Sequence, residues 1–219
     1  MRPQSMLRAR RPMAVGALGF ATLAAGTSAV AEAQNTQGAI TVSHARTHAV
    51  AGRTATVRGA LKSVPQGAHV ALEARRGGRW RTLDTAGVDP TGRYVARYRT
   101  HRAGSWPLRV RLAGPGADTS VSKTVGRLNV YRHAYASWYG PGLFGGHLAC
   151  GGTLTPGTLG VANKHLPCGT KVTLRYRGRS VRVPVVDRGP YVGGREYDLT
   201  QATKARLGFQ GHGYVLSTR

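Results

Sequence analysis

Acidic side chains are scarce in this chain. Eight Asp and Glu stand against 32 Lys and Arg in 219 residues, a formal net charge of +24. Cysteine is almost absent, with Cys150 and Cys168 alone, and aromatics make up only 7% of the residues. The cysteine spacing fits no zinc pattern with His147 or His165, so no metal site is expected, and no motif for an organic cofactor is present. Long apolar runs are also missing. The one candidate, residues 13–25, is Ala/Gly-rich and too short and weakly apolar for a stable membrane span. Disorder is excluded by what is there instead: apolar residues recur throughout in strand-length runs between Gly, Pro and Asp turns.

Residues 1–33 read as an export signal. Arg2, Arg8, Arg10 and Arg11 form a positive leader, residues 13–25 the apolar segment, and Ala31-Glu32-Ala33 a small-x-small cleavage site. Arg10-Arg11 hints at the twin-arginine route. Removing this segment takes away four arginines and one glutamate and leaves +21. Residues 34–130 then carry 16 basic and 4 acidic groups, and residues 131–219 carry 12 and 3. The charge is an even field that favours polyanions. Export directs that preference to anionic wall polymers, outside the cytoplasm, and away from nucleic acid. It also makes a disulfide the expected state of the cysteine pair.

After a loose polar leader, residues 34–39, the stretch 40–130 alternates polar and apolar residues in short segments. Turn signals such as Arg76-Gly77-Gly78 and Asp89-Pro90-Thr91-Gly92 recur at roughly ten-residue spacing, the pattern of an immunoglobulin-like β-sandwich. Its acids and histidines are scattered. Trp80 and Trp106 suit a core as well as a sugar platform. A seam is expected near residues 127–133. Beyond it, residues 134–219 are mostly strands, with a hairpin about Arg177-Gly178. One short helix over residues 201–207 has Thr200 as N-cap and Gly208 as its stop.

Within that second part, residues 183–200 (VPVVDRGPYVGGREYDLT) carry two aspartates, Asp187 and Asp198, around one turn system. Asp187 ends an apolar strand that could desolvate it. A turn aspartate bonded to backbone N–H groups is the plain alternative, as is a helix-flanking role for Asp198. Glu196 alternates with Tyr197 and is expected to face solvent.

Four segments in order, Ala136-Ser137-Trp138-Tyr139-Gly140, Leu166-Pro167-Cys168-Gly169-Thr170, Val186-Asp187-Arg188-Gly189-Pro190-Tyr191 and Tyr197-Asp198-Leu199-Thr200, resemble the double-psi β-barrel of the rare lipoprotein A family. The cysteine pair is more similar to that of expansins, which share the barrel. The resemblance implies an all-β chain: the sandwich, then a six-stranded barrel with one short helix and a polysaccharide groove. It implies action on peptidoglycan or another cell-wall polysaccharide. The enzymatic members are lytic transglycosylases; the expansin type binds and loosens wall polymers without cleavage. The expected catalytic residues are Asp187, as acid and base, and Asp198. Ser137, Trp138, Tyr139, Arg188 and Tyr191 are the expected substrate contacts, although Trp138 and Tyr139 would serve equally well in the core. The resemblance also marks two departures. Gly152 stands where enzymatic members usually carry a Glu, and Asn163 where they usually carry a His; His165, two residues on, is the nearest substitute.

Overall fold

The computed structural model describes residues 40–219, so the export segment and the polar leader lie outside the described residues. Eight strands precede residue 140: β1 (Ile40–Arg46), β2 (His48–Val50), β3 (Thr54–Leu61), β4 (His69–Arg76), β5 (Arg79–Gly87), β6 (Arg93–Arg99), β7 (Gly104–Ala113) and β8 (Ser122–Tyr139). One sheet has the order β1-β3-β6. Facing it, β5-β4-β7-β8 run in register, with β2 parallel to β8. The first strands are thus shared between two sheets, as in immunoglobulin-like sandwiches. Period-two alternation decides which side chains turn inward. In β3, Ala55, Val57 and Leu61 are buried while Thr54 and Arg58 are exposed. The inward residues meet Val70, Leu72, Leu108, Val110, Leu112, Leu128 and Val130 in one core. Each fully buried Leu or Val there contributes about 1.5–3 kcal/mol.

The charged pair on this half is structural. Glu73 is buried and takes Arg109 Nε at 2.7 Å and Arg111 Nε at 2.9 Å. Burial opposes its charge, but the hydrogen bonds from Arg111 and Arg109 outweigh that and hold its carboxyl below the ordinary glutamate range. Trp80 and Trp106 are half-buried and covered by Arg109 and Arg76, with guanidinium carbons 4.1 and 4.3 Å from the ring centroids. They form no open sugar platform.

The second part adds β9 (Val161–Ala162), β10 (Lys171–Tyr176), β11 (Arg179–Asp187), β12 (Tyr197–Thr200), α1 (Gln201–Leu207) and β13 (Gly213–Ser217). With the end of β8 these make six strands in the order β12-β9-β11-β10-β13-β8, and pairing of β8 with β12 closes the ring. The β10–β11 hairpin turns on Arg177 and Gly178, both at positive φ, the backbone a two-residue turn of this kind needs. Thr200 caps α1 by accepting from Thr203 N, and Gly208 ends it in the left-handed conformation. Inside the barrel lie Ala134, Ala136, Val161, Val172, Leu174, Val183, Val185, Tyr197, Leu199, Phe209 and Val215.

No linker occupies the expected seam. Residues 127–133 fall inside β8, which contributes Leu128 and Val130 to the sandwich core and Ala134 and Ala136 to the barrel core.

Candidate active site

The site is built by strand register. Asp198 pairs with Ser137 of β8 on one side and with Ala162 of β9 on the other, and Ala162 pairs in turn with Asp187 of β11. Directly paired residues share a face of a sheet. Their sequence neighbours Ala136, Val161, Tyr197 and Leu199 fill the barrel core, so Ser137, Asp198, Ala162 and Asp187 form one row on the outside. Alternation alone would not do this. Val185 faces the core, and Asp187 two residues later would follow it inward. A β-bulge between Val185 and Asp187 adds one residue, Val186, and turns the carboxylate to the outer row. Gly160 makes room for the bulge, because a Cβ at that position would overlap the Val186 side chain.

Asp187 is half-buried. Its Oδ1 accepts from Ala149 N at 2.9 Å and Arg188 N at 2.8 Å, while Oδ2 has no hydrogen-bond partner among the described residues. Main-chain contacts therefore fix the carboxylate without covering it. Asp198 accepts from the Ser137 hydroxyl, whose Oγ also accepts from Arg195 Nη1 at 3.1 Å. Tyr139 lies two residues after Ser137 on the same face of β8. Its hydroxyl is buried without a hydrogen-bond partner. Burial, followed by the charge of Asp187, the close approach of its carboxylate to the phenol and then the charge of Asp198, raises its pKa above the ordinary tyrosine value. Both carboxylates thus act on one phenol.

Two loops frame Asp187. Cys150 N donates to Val186 O at 3.1 Å and Gly169 N to Val185 O at 2.8 Å. The Cys150–Cys168 disulfide, with Cα atoms 5.4 Å apart, ties these loops together across the end of β11. Closing a loop of this length stabilises by about 3 kcal/mol in the chain-entropy account.

Several expected contacts lie elsewhere. Trp138 alternates away from Ser137, packs against the barrel core and holds Lys204 Nζ 3.6 Å from its ring centroid. Arg188 is occupied: Nη1 donates to Asn163 O and Leu166 O at 3.0 Å, and Nη2 lies 3.0 Å from Cys168 Sγ. It braces the disulfide loop and is not a free substrate contact. Asn163 is buried. Its Oδ1 accepts from His165 N and Leu166 N, and its Nδ2 donates to Glu196 O. His165 has an exposed side chain and meets the site through its backbone alone. Gly152 lies at φ +82° with open space where a Cβ would point. Glu196 is not simply solvent-facing, for Arg132 binds both its oxygens, Nη1 to Oε2 at 2.8 Å. Tyr191 is 81% exposed and reachable by a ligand.

Tyr135, Arg195, His212 and Tyr214 were not among the residues expected at the site. They line a cleft of about 430 Å³ with Val192, Gly193 and Gly194, and the Tyr135 and Tyr214 rings meet edge to face at 5.1 Å. The period-two series Tyr135, Ser137, Tyr139 was the available signal.

The lytic transglycolase family matches residues 131–216. Those residues are a double-psi β-barrel of the rare lipoprotein A family. The probable endolytic peptidoglycan transglycosylase RlpA of Synechocystis is 42% identical over 80 residues, 36% of this chain and 25% of that protein. The corresponding protein of Aquifex aeolicus is 40% identical over 87 residues, 39% of this chain and 38% of that protein. The endolytic peptidoglycan transglycosylase RlpA of Campylobacter jejuni is 42% identical over 74 residues, 33% and 27% of the two chains. The chain thus spans between a quarter and two fifths of the length of these relatives. Among solved structures, the Streptomyces papain inhibitor is similar at 24% identity and a TM-score of 0.33, over 40% of this chain and 90% of its own.

Proposed function

We propose that this protein acts outside the cytoplasm on the glycan strands of peptidoglycan as a lytic transglycosylase, with Asp187 as acid and base. The observation that carries the reading is the outer row itself, where a fixed carboxylate keeps one oxygen free. In the reaction, Asp187 would donate a proton to the glycosidic oxygen as the C1–O bond breaks. The sugar's own 6-hydroxyl oxygen would attack C1, and Asp187 would take back that hydroxyl's proton, closing a 1,6-anhydro ring. One carboxyl suffices, because no water enters. Asp198 stands two strand spacings from Asp187, about 10 Å between backbones. That suits a supporting charge, positioned through Ser137 and Arg195, better than a second reacting group. Tyr139 and the exposed Tyr191 are the aromatic contacts this reading assigns to sugar. The endolytic peptidoglycan transglycosylase activity for which the RlpA relatives are named supports it.

A second reading, non-hydrolytic wall binding of the expansin type, is favoured by two particular positions. Gly152 offers no carboxylate, and Asn163 is fully engaged in holding its loop. Digestion of purified sacculi separates the two. The first reading expects anhydro-muropeptides from the wild-type chain and a loss of at least about 100-fold in Asp187→Asn, the scale of a lost general acid–base. Wild-type product no greater than that of Asp187→Asn, with the protein still co-sedimenting with sacculi, would leave wall binding as the function.

A further inference from the structure

Arginines are distributed unequally in their partners. On the β5-β4-β7-β8 sheet several are engaged, Arg109 and Arg111 with Glu73, Arg109 over Trp80, Arg76 over Trp106, while Arg79 and Arg81 of β5 are exposed without a partner among the described residues. The outer face of the β1-β3-β6 sheet is different. Register places Arg46, Thr56 and Arg97 in one row across the three strands. His44, Arg58 and Val95 form the next row, and Thr54 with Arg99 the row on the other side. Ala55 and Val57 face the core, so these rows face out, and all four arginines are exposed. Among the described residues none of the four guanidiniums has an ion-pair or hydrogen-bond partner. Asp84 and Asp89 accept the main-chain N–H of Arg97 and Arg93 at the sheet edge. At one end the face opens into a cleft of about 660 Å³ lined by Arg46, Arg53, Arg99, His48 and Thr54.

We infer that this face is a docking surface for a phosphodiester-linked polyol polymer of the cell envelope. Unpaired guanidiniums bind phosphate through forked, charge-assisted hydrogen bonds. Register spaces them out: Arg46 and Arg97 stand two strand spacings apart in one row, about 9.6 Å, and Arg97 and Arg99 about 6.8 Å apart along β6, with Arg58 diagonal to the first pair. A chain with one phosphate per short polyol unit meets such a surface repeatedly. Nucleic-acid surfaces that bind single strands combine cations with stacking rings. Here the tyrosines of β6 turn the other way, Tyr94 into the core and Tyr98 against it. Phosphate is therefore the group this face recognises, and the sandwich gains a role as a wall anchor that does not depend on Asp187.

The test measures binding of the full chain to poly(glycerol phosphate) at about 0.15 M salt, where long-range attraction between exposed charges is largely screened. Arg97→Ser/Arg99→Ser is expected to weaken binding at least tenfold. Arg79→Ser/Arg81→Ser, an equal charge loss on exposed positions of the opposite sheet, should change it less than twofold. Arg46→Ser/Arg58→Ser must reproduce the loss, which guards against a folding defect in the first variant, and Asp187→Asn must bind as wild type. Equal losses in the face and control variants would overturn the proposal, as would no binding by wild type. Tighter binding of an oligothymidylate, lost in the same face variants, would overturn it in favour of nucleic acid.

Discussion

Tyr139 and Glu73 show opposite solutions to burying a polar group. The Tyr139 hydroxyl is buried without a partner and lies in the negative field of Asp187 and Asp198. An unpaired buried hydroxyl contributes nothing to folding and carries its desolvation cost. Tyr139→Phe is therefore expected to leave the denaturant midpoint unchanged or raise it. If the hydroxyl serves the substrate, the same variant loses anhydro-muropeptide release. A drop in stability beyond about 1 kcal/mol would mean that the hydroxyl has a structural partner. Glu73 is the satisfied case. Its folded pKa lies below the ordinary 4.5, so its charge contributes stability above that pH and the contribution fades as pH falls through the folded value. Glu73→Gln should cost on the order of 2–3 kcal/mol at neutral pH, the scale of charge-assisted hydrogen bonds. It should cost much less at acid pH, as read from unfolding curves across that range. A penalty independent of pH would assign the loss to packing instead.

At the scale of the element, the decisive feature is the bulge in β11. Asp187 was legible as a candidate from the DRGPY segment, and the helix from Thr200 to Gly208 from its capping residues. The outward turn of Asp187 was not, because a bulge is set by what packs against it, here Gly160 of a distant loop. Gly160→Ala is predicted to force Val186 to move, at a cost of about 1–3 kcal/mol in barrel stability. It should also reduce glycan cleavage more than the stability loss explains, because Asp187 shifts with the bulge. Activity retained at wild-type level in the folded variant would show that Asp187 is not held by this packing. Trp138 and Arg188 illustrate the same limit. Their residue types suit sugar binding, but period-two alternation sends Trp138 to the core side, and the carbonyls of Asn163 and Leu166 claim the Arg188 guanidinium.

For the molecule as a whole, β8 is the unexpected part. Composition changes near residue 130, and a boundary was the natural expectation there. Instead, 18 residues of uninterrupted strand serve two cores. Arg182 of the barrel reaches Ser105 of the sandwich at 3.3 Å, and β2, β7 and β8 close around the junction. A shared strand transmits loss of one core to the other, so calorimetry should record a single cooperative transition. Insertion of Gly-Ser after Arg132 should break the strand's continuity and separate two transitions. Two transitions in the uninserted chain would mean that the cores are energetically independent.

What the chain determined by itself was local or additive: the all-β pattern, the turns, the helix caps, the oxidised cysteine pair, the basic field and the segments that mark the barrel. Each of these depends on neighbours in sequence, or on composition. Only the tertiary structure decided that Ser137, Asp198, Ala162 and Asp187 share a row, and that Arg46, Arg58, Arg97 and Arg99 stand unpaired on one sheet while Arg76, Arg109 and Arg111 are engaged on the other. Those facts depend on strand order and register. Register is set by the joint packing of segments far apart in the chain, such as Arg132 with Ser217 and His48 with Asn129, which no single segment encodes.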